Sequence, residues 1–333
     1  MQITATAIIF GYNSAHRIAE ILNCIALQNI PENVKFDVLL MDNASSDNLV
    51  ATAQSHWKSL NVSVQLRSIY ESKPGLIFSR ITAIKECEAD YLFFIDDDNY
   101  LEKDYFNEAI SVFEKYSNVG VVCGELLPLF ESTPPQWFYE HLHVLAIGKQ
   151  GEKKGIINNE KGYSWGAGMC IRRKVLDKLF EAGFNFTQLI YKNQLAGYAD
   201  DYELSLFVRL AGADIFYNPA MKLKHLVLSQ KMNESYLEKI NFIQGLCSVI
   251  TDAPLFHINK KKSKNNFVIW LREYAYAKRR TLKLEIVSSA EKKRKEKLIK
   301  IYYKGRIAGL KIVKNKTYEN YFLRTQKIIE KLS

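Results

Sequence analysis

The sequence predicts an α/β fold built on a mostly parallel, doubly wound sheet, extended at its C-terminal end by basic helices. Three observations carry this reading. Short apolar runs alternate with helix-length stretches through the first hundred residues. Three of those runs end in clusters of Gly, Asp, Asn and Ser, the composition that closes a strand and caps the next helix. Charge is divided: from His257 to Ser333, 23 Lys and Arg stand against 6 Glu, whereas residues 1–256 hold 23 basic and 30 acidic side chains. The net +10 therefore conceals two surfaces of opposite sign.

Residues 4–10 form the first strand, and Gly11-Tyr12-Asn13-Ser14 turns the chain into a helix reaching about residue 28. Residues 36–41 form the second strand, closed by Asp42-Asn43-Ala44-Ser45-Ser46-Asp47, which also caps the following helix. Residues 62–69 alternate like an exposed strand. Lys73-Pro74-Gly75 opens a helix to about residue 88, and residues 91–95 run as a buried strand into Asp96-Asp97-Asp98. Strand–helix–strand units of this length imply a parallel sheet, and ligands of such sheets sit beyond the carboxyl ends of the strands. The polar clusters after the first, second and fourth strands are thus expected in one crevice. Further on come a strand at 119–123, an aromatic loop around Pro134-Pro135-Gln136-Trp137 and a Gly/Lys-rich stretch at 148–155. Trp165-Gly166-Ala167-Gly168 precedes helices at 173–180 and 200–210, with Gly212 placed to end the second. Basic helices follow His257, with basic runs at 260–262 and 292–295.

Composition excludes several classes. Hydrophobic residues at 47% and charged residues at 25% are those of a globular protein with a full core. Five dispersed cysteines, without a CxxC pair, read as reduced thiols and argue against a zinc site. No basic leader and no run of about 18 apolar residues is present, so a cytoplasmic chain is expected.

Three consecutive carboxylates at the end of a buried strand are costly unless a cation compensates them, and a divalent metal carrying a diphosphate does so. The alternative is an acidic loop that merely caps the next helix. Asp42 can accept from a base or a ribose, or simply cap a helix. Asp200 and Asp201 can supply a general base, or complement a helix dipole. Trp165 can stack on a pyranose or sit in the core. His225, in an apolar run, has a structural reading beside any role at a metal.

Ala7-Ile8-Ile9-Phe10-Gly11-Tyr12-Asn13, Val38-Leu39-Leu40-Met41-Asp42-Asn43-Ala44-Ser45-Ser46-Asp47 and Phe94-Ile95-Asp96-Asp97-Asp98-Asn99 occur in an informative order. They resemble the opening strand, the second-strand segment and the DXD signature of the inverting family-2 glycosyltransferases with the GT-A fold, and the resemblance covers most of residues 3–228. It implies a Rossmann-like catalytic domain over 1–230, with a nucleotide-binding half at about 1–100 and an acceptor half at about 101–230. A basic helical region occupies 231–333. It places the donor's base and ribose near Phe10, Tyr12 and Asp42, with Asp96 at the ribose and metal edge. Asp98 becomes the ligand of Mn²⁺ or Mg²⁺, approached by His225, while Asp97 is the least involved member of the donor-side triplet. Arg80 and Lys73 would face the diphosphate, and Trp165 and Gly166 would belong to the sugar loop. Asp200-Asp201-Tyr202-Glu203-Leu204 resembles the family's acidic motif, with Asp201 as catalytic base and Asp200 beside the donor. The chain departs from the family pattern at Ile81, Gly168 and Asp200.

The implied activity is transfer of a sugar from a nucleoside diphosphate, UDP being the favoured nucleotide, to a glycan or lipid-linked acceptor in cell-surface glycan assembly. Two rivals are a nucleotidyltransferase, for which Gly11-Tyr12-Asn13-Ser14-Ala15 is a poor phosphate loop, and a non-catalytic scaffold of the same fold. The basic end has three readings. Ile299, Tyr303, Ile307, Leu310 and Val313 share one side of a helix amid lysines, which suits a peripheral helix on the anionic inner face of a membrane. A helix packed on protein fits as well. Nucleic acid is not expected as a partner, since no recognised module accompanies the charge.

Overall fold

The computed structural model describes residues 2–333 other than 193, 196–198, 261–265, 283–288 and 315, with the backbone alone at 191 and 195. The first strands are β1 (Ile3–Gly11), β2 (Val34–Asp42), β3 (Leu66–Tyr70) and β4 (Tyr91–Asp96). They lie in the order β3-β2-β1-β4, all parallel. Helices α1 (Ile18–Ala26), α2 (Leu49–Ser59) and α3 (Leu76–Glu86) connect them. β1, β2 and β4 hold apolar runs at residues 7–10, 38–41 and 91–95 because both faces are covered there: Ile8 and Ile9 in β1 and Leu39 and Leu40 in β2 are all fully enclosed. Adjacent parallel strands deliver the three polar clusters to one edge, as the sequence predicts.

Two boundaries differ from expectation. The third strand starts at Leu66, because Trp57 Nε1 donates to the Val64 carbonyl at 2.8 Å and ties that segment to α2. The first helix starts at Ile18, because Ser14 to Arg17 are drawn into turns and the Ala15 N–H donates to Asp47.

The second half continues with β5 (Asn99–Leu101), α4 (Tyr105–Lys115), β6 (Val119–Phe130), β7 (Gly155–Ile156), β8 (Cys170–Arg172) and α5 (Arg173–Glu181). A small hairpin of β9 (Ile190–Tyr191) and β10 (Gln194–Leu195) precedes α6 (Asp200–Leu210) and β11 (Asp214–Val227). The sheet extends from β4 through β8, β6 and β11 to β5. β8 is antiparallel to both neighbours, β6 and β11 are parallel, and β5 runs antiparallel on β11. The expected aromatic loop is a 3-10 helix over Gln136–Leu145. β11 keeps its pairing with β6 across an irregularity between Tyr217 and Lys222, which admits Pro219, a residue without an N–H to donate. Gly212 has φ +83° just past α6, as its expected role requires.

One apolar core joins α1, α2 and α4 to the sheet, and another joins α3, α5 and α6 to it. The C-terminal helices are α7 (Glu234–Cys247), α8 (Asp252–Ile258), α9 (Asn266–Leu282), α10 (Ala290–Ile312) and α11 (Lys316–Leu332). α7 and α10 cross with their backbones in contact. A Cβ on Gly245 would lie 1.9 Å from the Tyr302 carbonyl oxygen, and on Gly305 or Gly309 it would lie 2.0 Å from Phe242 O or 2.3 Å from Leu246 O. Leu310 and Val313 are buried in a third apolar cluster, and Ile299, Tyr303 and Ile307 are half-buried. The apolar side of α10 thus packs on protein. Arg306 is buried and pairs with Asp252 and Glu273 at 2.8 Å each. The basic run at 292–295 opens α10, while positions 261 and 262 of the other lie outside the described residues. Among the described residues no helix is long and apolar enough to cross a membrane.

α11 returns to the sheet-bearing half. Ile328 enters the second core, and Arg324 pairs with buried Glu203 of α6 at 2.8 Å. Thr187 also donates to Glu203, through its N–H at 2.8 Å and its hydroxyl at 2.5 Å. Arg324→Ala leaves a buried carboxylate without its cation and is expected to cost about 1–3 kcal/mol in urea unfolding. An unchanged midpoint would show the pair to be idle.

Candidate active site

The loops after β1, β2 and β4 are stitched together. The Asn13 N–H donates to Ser45 Oγ at 3.1 Å, the Ser46 N–H to Asn13 Oδ1 at 2.7 Å, and the Asn43 N–H to the Gly11 carbonyl at 2.9 Å. Asp97 anchors the acidic triplet to this assembly. Its carboxylate accepts from the Tyr12 N–H at 3.2 Å and pairs with Arg17 at 2.9 Å. Asp42 is buried at the end of β2, and its Oδ1 accepts the Ser45 N–H at 3.0 Å, so it shapes the turn. Its neighbour Asn43 lines the cavity and fixes the loop after β3, donating to Lys73 O and accepting from the Gly75 N–H, both at 2.8 Å.

A cavity of about 680 Å³ opens here, lined by Phe10, Tyr12, Asn43, Asp96, Asp97, Asp98 and Lys231, a size suited to a nucleotide. Tyr12 is 57% exposed, with its ring available at the cavity wall. A second cavity of about 500 Å³ is lined by Arg80, Trp165, Gly166, Asp200 and Asp201. Leu76, Asp96, Leu226 and Lys231 line both, so the two spaces adjoin at the end of β4.

Asp98 lies 3.4 Å from His225 Nε2 and 3.5 Å from Lys231 Nζ. Burial alone would raise its pKa, but His225, Lys231 and Arg17 override burial and hold it at about 2. Burial pushes Asp96 up to about 6; Arg80 opposes this, while Asp98 and Asp97 add to it. β11 supplies His225: its pairing with β5 sets His225 opposite Asn99, next to Asp98. Among the described residues no three His, Cys, Asp or Glu side chains already enclose a metal. A cation that takes diphosphate oxygens needs fewer protein ligands, and Asp98, Asp96 and His225 offer hard oxygens and an imidazole. Among the described residues His225 Nδ1 is buried without a hydrogen-bond partner, which leaves the ring an unused polar atom in this pocket.

On the other side of Asp96, Arg80 is buried, with its guanidinium 5.7 Å from the Phe10 ring centroid and 5.8 Å from that of Phe94. It pairs with Asp200 at 2.5 Å. Gly166 permits this, since a Cβ there would lie 2.3 Å from Arg80 Nη2. Asp201 follows at the start of α6, where its two oxygens accept the N–H groups of Gly166 at 2.8 Å and Tyr202 at 2.7 Å. Burial and then Asp200 push the Asp201 pKa up, against the pull of Arg80 and the two amides. Trp165 is only partly buried, and Lys161 Nζ stands 3.2 Å over its ring. Burial lowers the Lys161 pKa to about 7, although Cys123 and Asp201 oppose the shift. Apart from Asp42 and Lys73, which line neither cavity, the expected residues fall into a triplet side and an Asp200–Asp201 side that share Asp96. Lys73 is exposed and lies over the Phe78 ring at 5.7 Å. Arg17, Asn43, Lys161 and Lys231 belong to the site and were not singled out in the sequence. Only Asn43 carried a signal, its place beside Asp42 in the second-strand segment.

Residues 6–180 match the family model described as glycosyl transferase family 2. Over 139 residues, 39% of this chain, the sequence is 29% identical to the poly(ribitol-phosphate) beta-N-acetylglucosaminyltransferase TarS of Staphylococcus aureus, covering 24% of that protein. It is 28% identical over 231 residues to the uncharacterized glycosyltransferase YfnE of Bacillus subtilis, covering 67% of this chain and 54% of that one. The match thus spans about a quarter of the first relative and about half of the second. Among solved structures, the mannosyltransferase PcManGT from Pyrobaculum calidifontis, in complex with GDP-Man and Mn²⁺, superposes with a TM-score of 0.55 at 16% identity, over 98% of this chain and 85% of that one. S. aureus TarS 1-349 in complex with UDP-GlcNAc gives 0.53 at 14% identity, over 91% and 90% of the two chains. At these identities the structural likeness is one of fold. With the family model covering more than half of its length, the chain belongs to glycosyl transferase family 2 and has the GT-A fold.

Proposed function

We propose that the protein is a metal-dependent, inverting glycosyltransferase that moves a sugar from a nucleoside-diphosphate sugar, UDP favoured, to a hydroxyl of a glycan or lipid-linked acceptor in cell-surface glycan assembly. The observation that carries this reading is Asp96, which lines both cavities, with the triplet on one side and Asp201 on the other. A diphosphate at Asp98 and a hydroxyl at Asp201 would meet across it. The TarS and PcManGT complexes, with UDP-GlcNAc and with GDP-Man and Mn²⁺, support the donor class and the cation.

Asp98, with Asp96 and His225, would hold Mn²⁺ or Mg²⁺, and the bound cation would neutralise the charge of the departing diphosphate. The chain's own groups do the rest. The wall of Phe10, Tyr12 and Asn43 receives the base and ribose. Asp201 takes the proton of the acceptor hydroxyl while the acceptor oxygen bonds to C1 and the C1–O bond to the diphosphate breaks, a single displacement that inverts the anomeric carbon. The two amides on Asp201 fix its carboxylate and leave it further lone pairs for that proton.

Incubation with Mn²⁺ and a panel of nucleotide sugars tests the reading; no binding and no hydrolysis of any of them would remove it. Asp98→Asn is expected to abolish the Mn²⁺-dependent gain in UDP affinity while leaving the metal-free affinity in place. Equal Mn²⁺ response in the variant and the parent would reassign the ligand.

The protein is also proposed to work in the cytoplasm at an anionic membrane surface. Since the apolar side of α10 is covered, the support comes from α9, which exposes Phe267, Val268, Leu271 and Leu282 beside Arg272, Lys278 and Arg279. Val268→Asp with Leu271→Asp is expected to end co-sedimentation with phosphatidylserine vesicles. Undiminished, salt-insensitive sedimentation counts against the surface.

A further inference from the structure

A third cavity, of about 650 Å³, lies among the C-terminal helices. It adjoins the catalytic one: Tyr202, Ser248 and Tyr302 line both. Tyr202 directly follows Asp201, so the join lies beside the proposed base. The donor cavity is on the far side of Asp96, which makes this the side open to the rest of an acceptor.

The walls have the chemistry of a sugar site. Tyr302, Tyr303 and Tyr276 form a corner of three rings, with centroids 5.4 Å apart for Tyr302 and Tyr303 and 5.7 Å apart for Tyr276 and Tyr303, both pairs edge-to-face. Such a corner presents ring faces to the C–H side of a pyranose and phenol hydroxyls to its edge. Arg306, Asp252 and Glu273 supply the polar floor. Their charges are matched to one another, through Arg306 contacts of 2.8 Å to each carboxylate, and the Ser248 hydroxyl is also bonded to Arg306 at 2.8 Å. Arg272 also lines the cavity, so two cations stand against two carboxylates; a polyanion would meet no net positive charge, whereas an uncharged glycan would meet hydrogen-bonding edges.

We propose that this cavity binds the sugars of an uncharged oligosaccharide acceptor that lie beyond the unit receiving the new sugar. The proposal rests on the glycosyltransferase reading above, because Asp201 defines which end is which. The helical region then reads the acceptor, and residues outside the family-matched segment set its length preference.

The test is retention of the full-length protein, with UDP and Mn²⁺ present, on an array of neutral glycans from one to six units that also carries phosphodiester-linked glycans. Retention is expected for neutral glycans of about three units or more, the length that a cavity of this volume admits next to the catalytic one. Tyr276→Ala and Tyr303→Ala are each expected to weaken it about tenfold, one ring contact in each case. Tyr276→Phe should retain the glycans, since the ring remains, and UDP affinity by calorimetry should be the same in all variants. Equal retention by Tyr276→Ala, retention of single sugars as strongly as of longer ones, or retention confined to phosphodiester-linked glycans would overturn the proposal. So would retention of no neutral glycan. If UDP and every nucleotide sugar also fail to bind the parent protein, it is the transferase reading that falls; if they bind and are hydrolysed, only the acceptor cavity does.

Discussion

Replacing Asp201 with Asn is expected to lower sugar transfer about 10²–10⁴-fold, the range that a positioned general base contributes. Nucleotide binding should be untouched, because Asp201 lines the cavity that excludes Tyr12 and Asp98. Asn keeps the size but gives one acceptor oxygen where Asp has two, so it can satisfy either the Gly166 or the Tyr202 amide and not both. Asp201→Glu keeps the charge and separates lost basicity from a loosened loop. The pH profile supplies a second readout. Burial and Asp200 raise the pKa of Asp201 in the folded protein, and only its ionised form accepts a proton. The acid limb of kcat/KM should therefore lie above the ordinary carboxylate range, with activity rising as pH rises through it. Arg80 favours the ionised form, so Arg80→Met is expected to move that limb to still higher pH. Full activity in Asp201→Asn, or a limb that ignores Arg80, would falsify the assignment.

The second large effect concerns stability. A glycine inside an exposed helix gains about 1 kcal/mol when replaced by alanine. At Gly245 and Gly305 the added methyl would stand 1.9 Å and 2.0 Å from backbone oxygens of the facing helix, and a backbone cannot turn away as a side chain can. Overpacking of this kind costs about 1–3 kcal/mol and occasionally more, so repulsion outweighs propensity. Each alanine variant is expected to lose about 2 kcal/mol in denaturant unfolding. The double variant should lose less than the two together, because separating the helices once relieves both clashes. A rise in Tm in either single variant would show that the two helices do not touch there.

The parts legible in the sequence were those whose signal is local. β1, β2 and β4 each hold an apolar run that leads into a polar cluster, and those ends line the cavity of about 680 Å³. β11 was not legible: residues 214–227 contain Pro219, Lys222 and Lys224, and only pairing with β6 and β5 makes them a strand. His225 was named from resemblance, but its approach to Asp98 depends on that unseen register. Arg80 was expected at the diphosphate, and the structure places its guanidinium between two aromatic rings and against Asp200, a contact 120 residues away in sequence. Asp97 was read as the least involved; the structure pairs it with Arg17 and the Tyr12 N–H, so it holds the loop while also lining the cavity. The basic end was left open between a membrane surface and packing on protein. Charge counts do not distinguish a lysine in solvent from Arg306, whose two carboxylate partners lie on α8 and α9.

The contact between Arg324 and Glu203 also bears on how the fold comes into being. The two residues are 121 positions apart, and Arg324 is on α11. At about 5–20 residues per second, a ribosome needs roughly 6–24 s to bring out the arginine after the glutamate. During that interval β1 to β4 can already pair and enclose a nucleotide, while the helix bearing Asp201 has a buried acid without its counter-charge. Nascent chains, and chains cut short before α11, should therefore be able to hold a donor before they can use it.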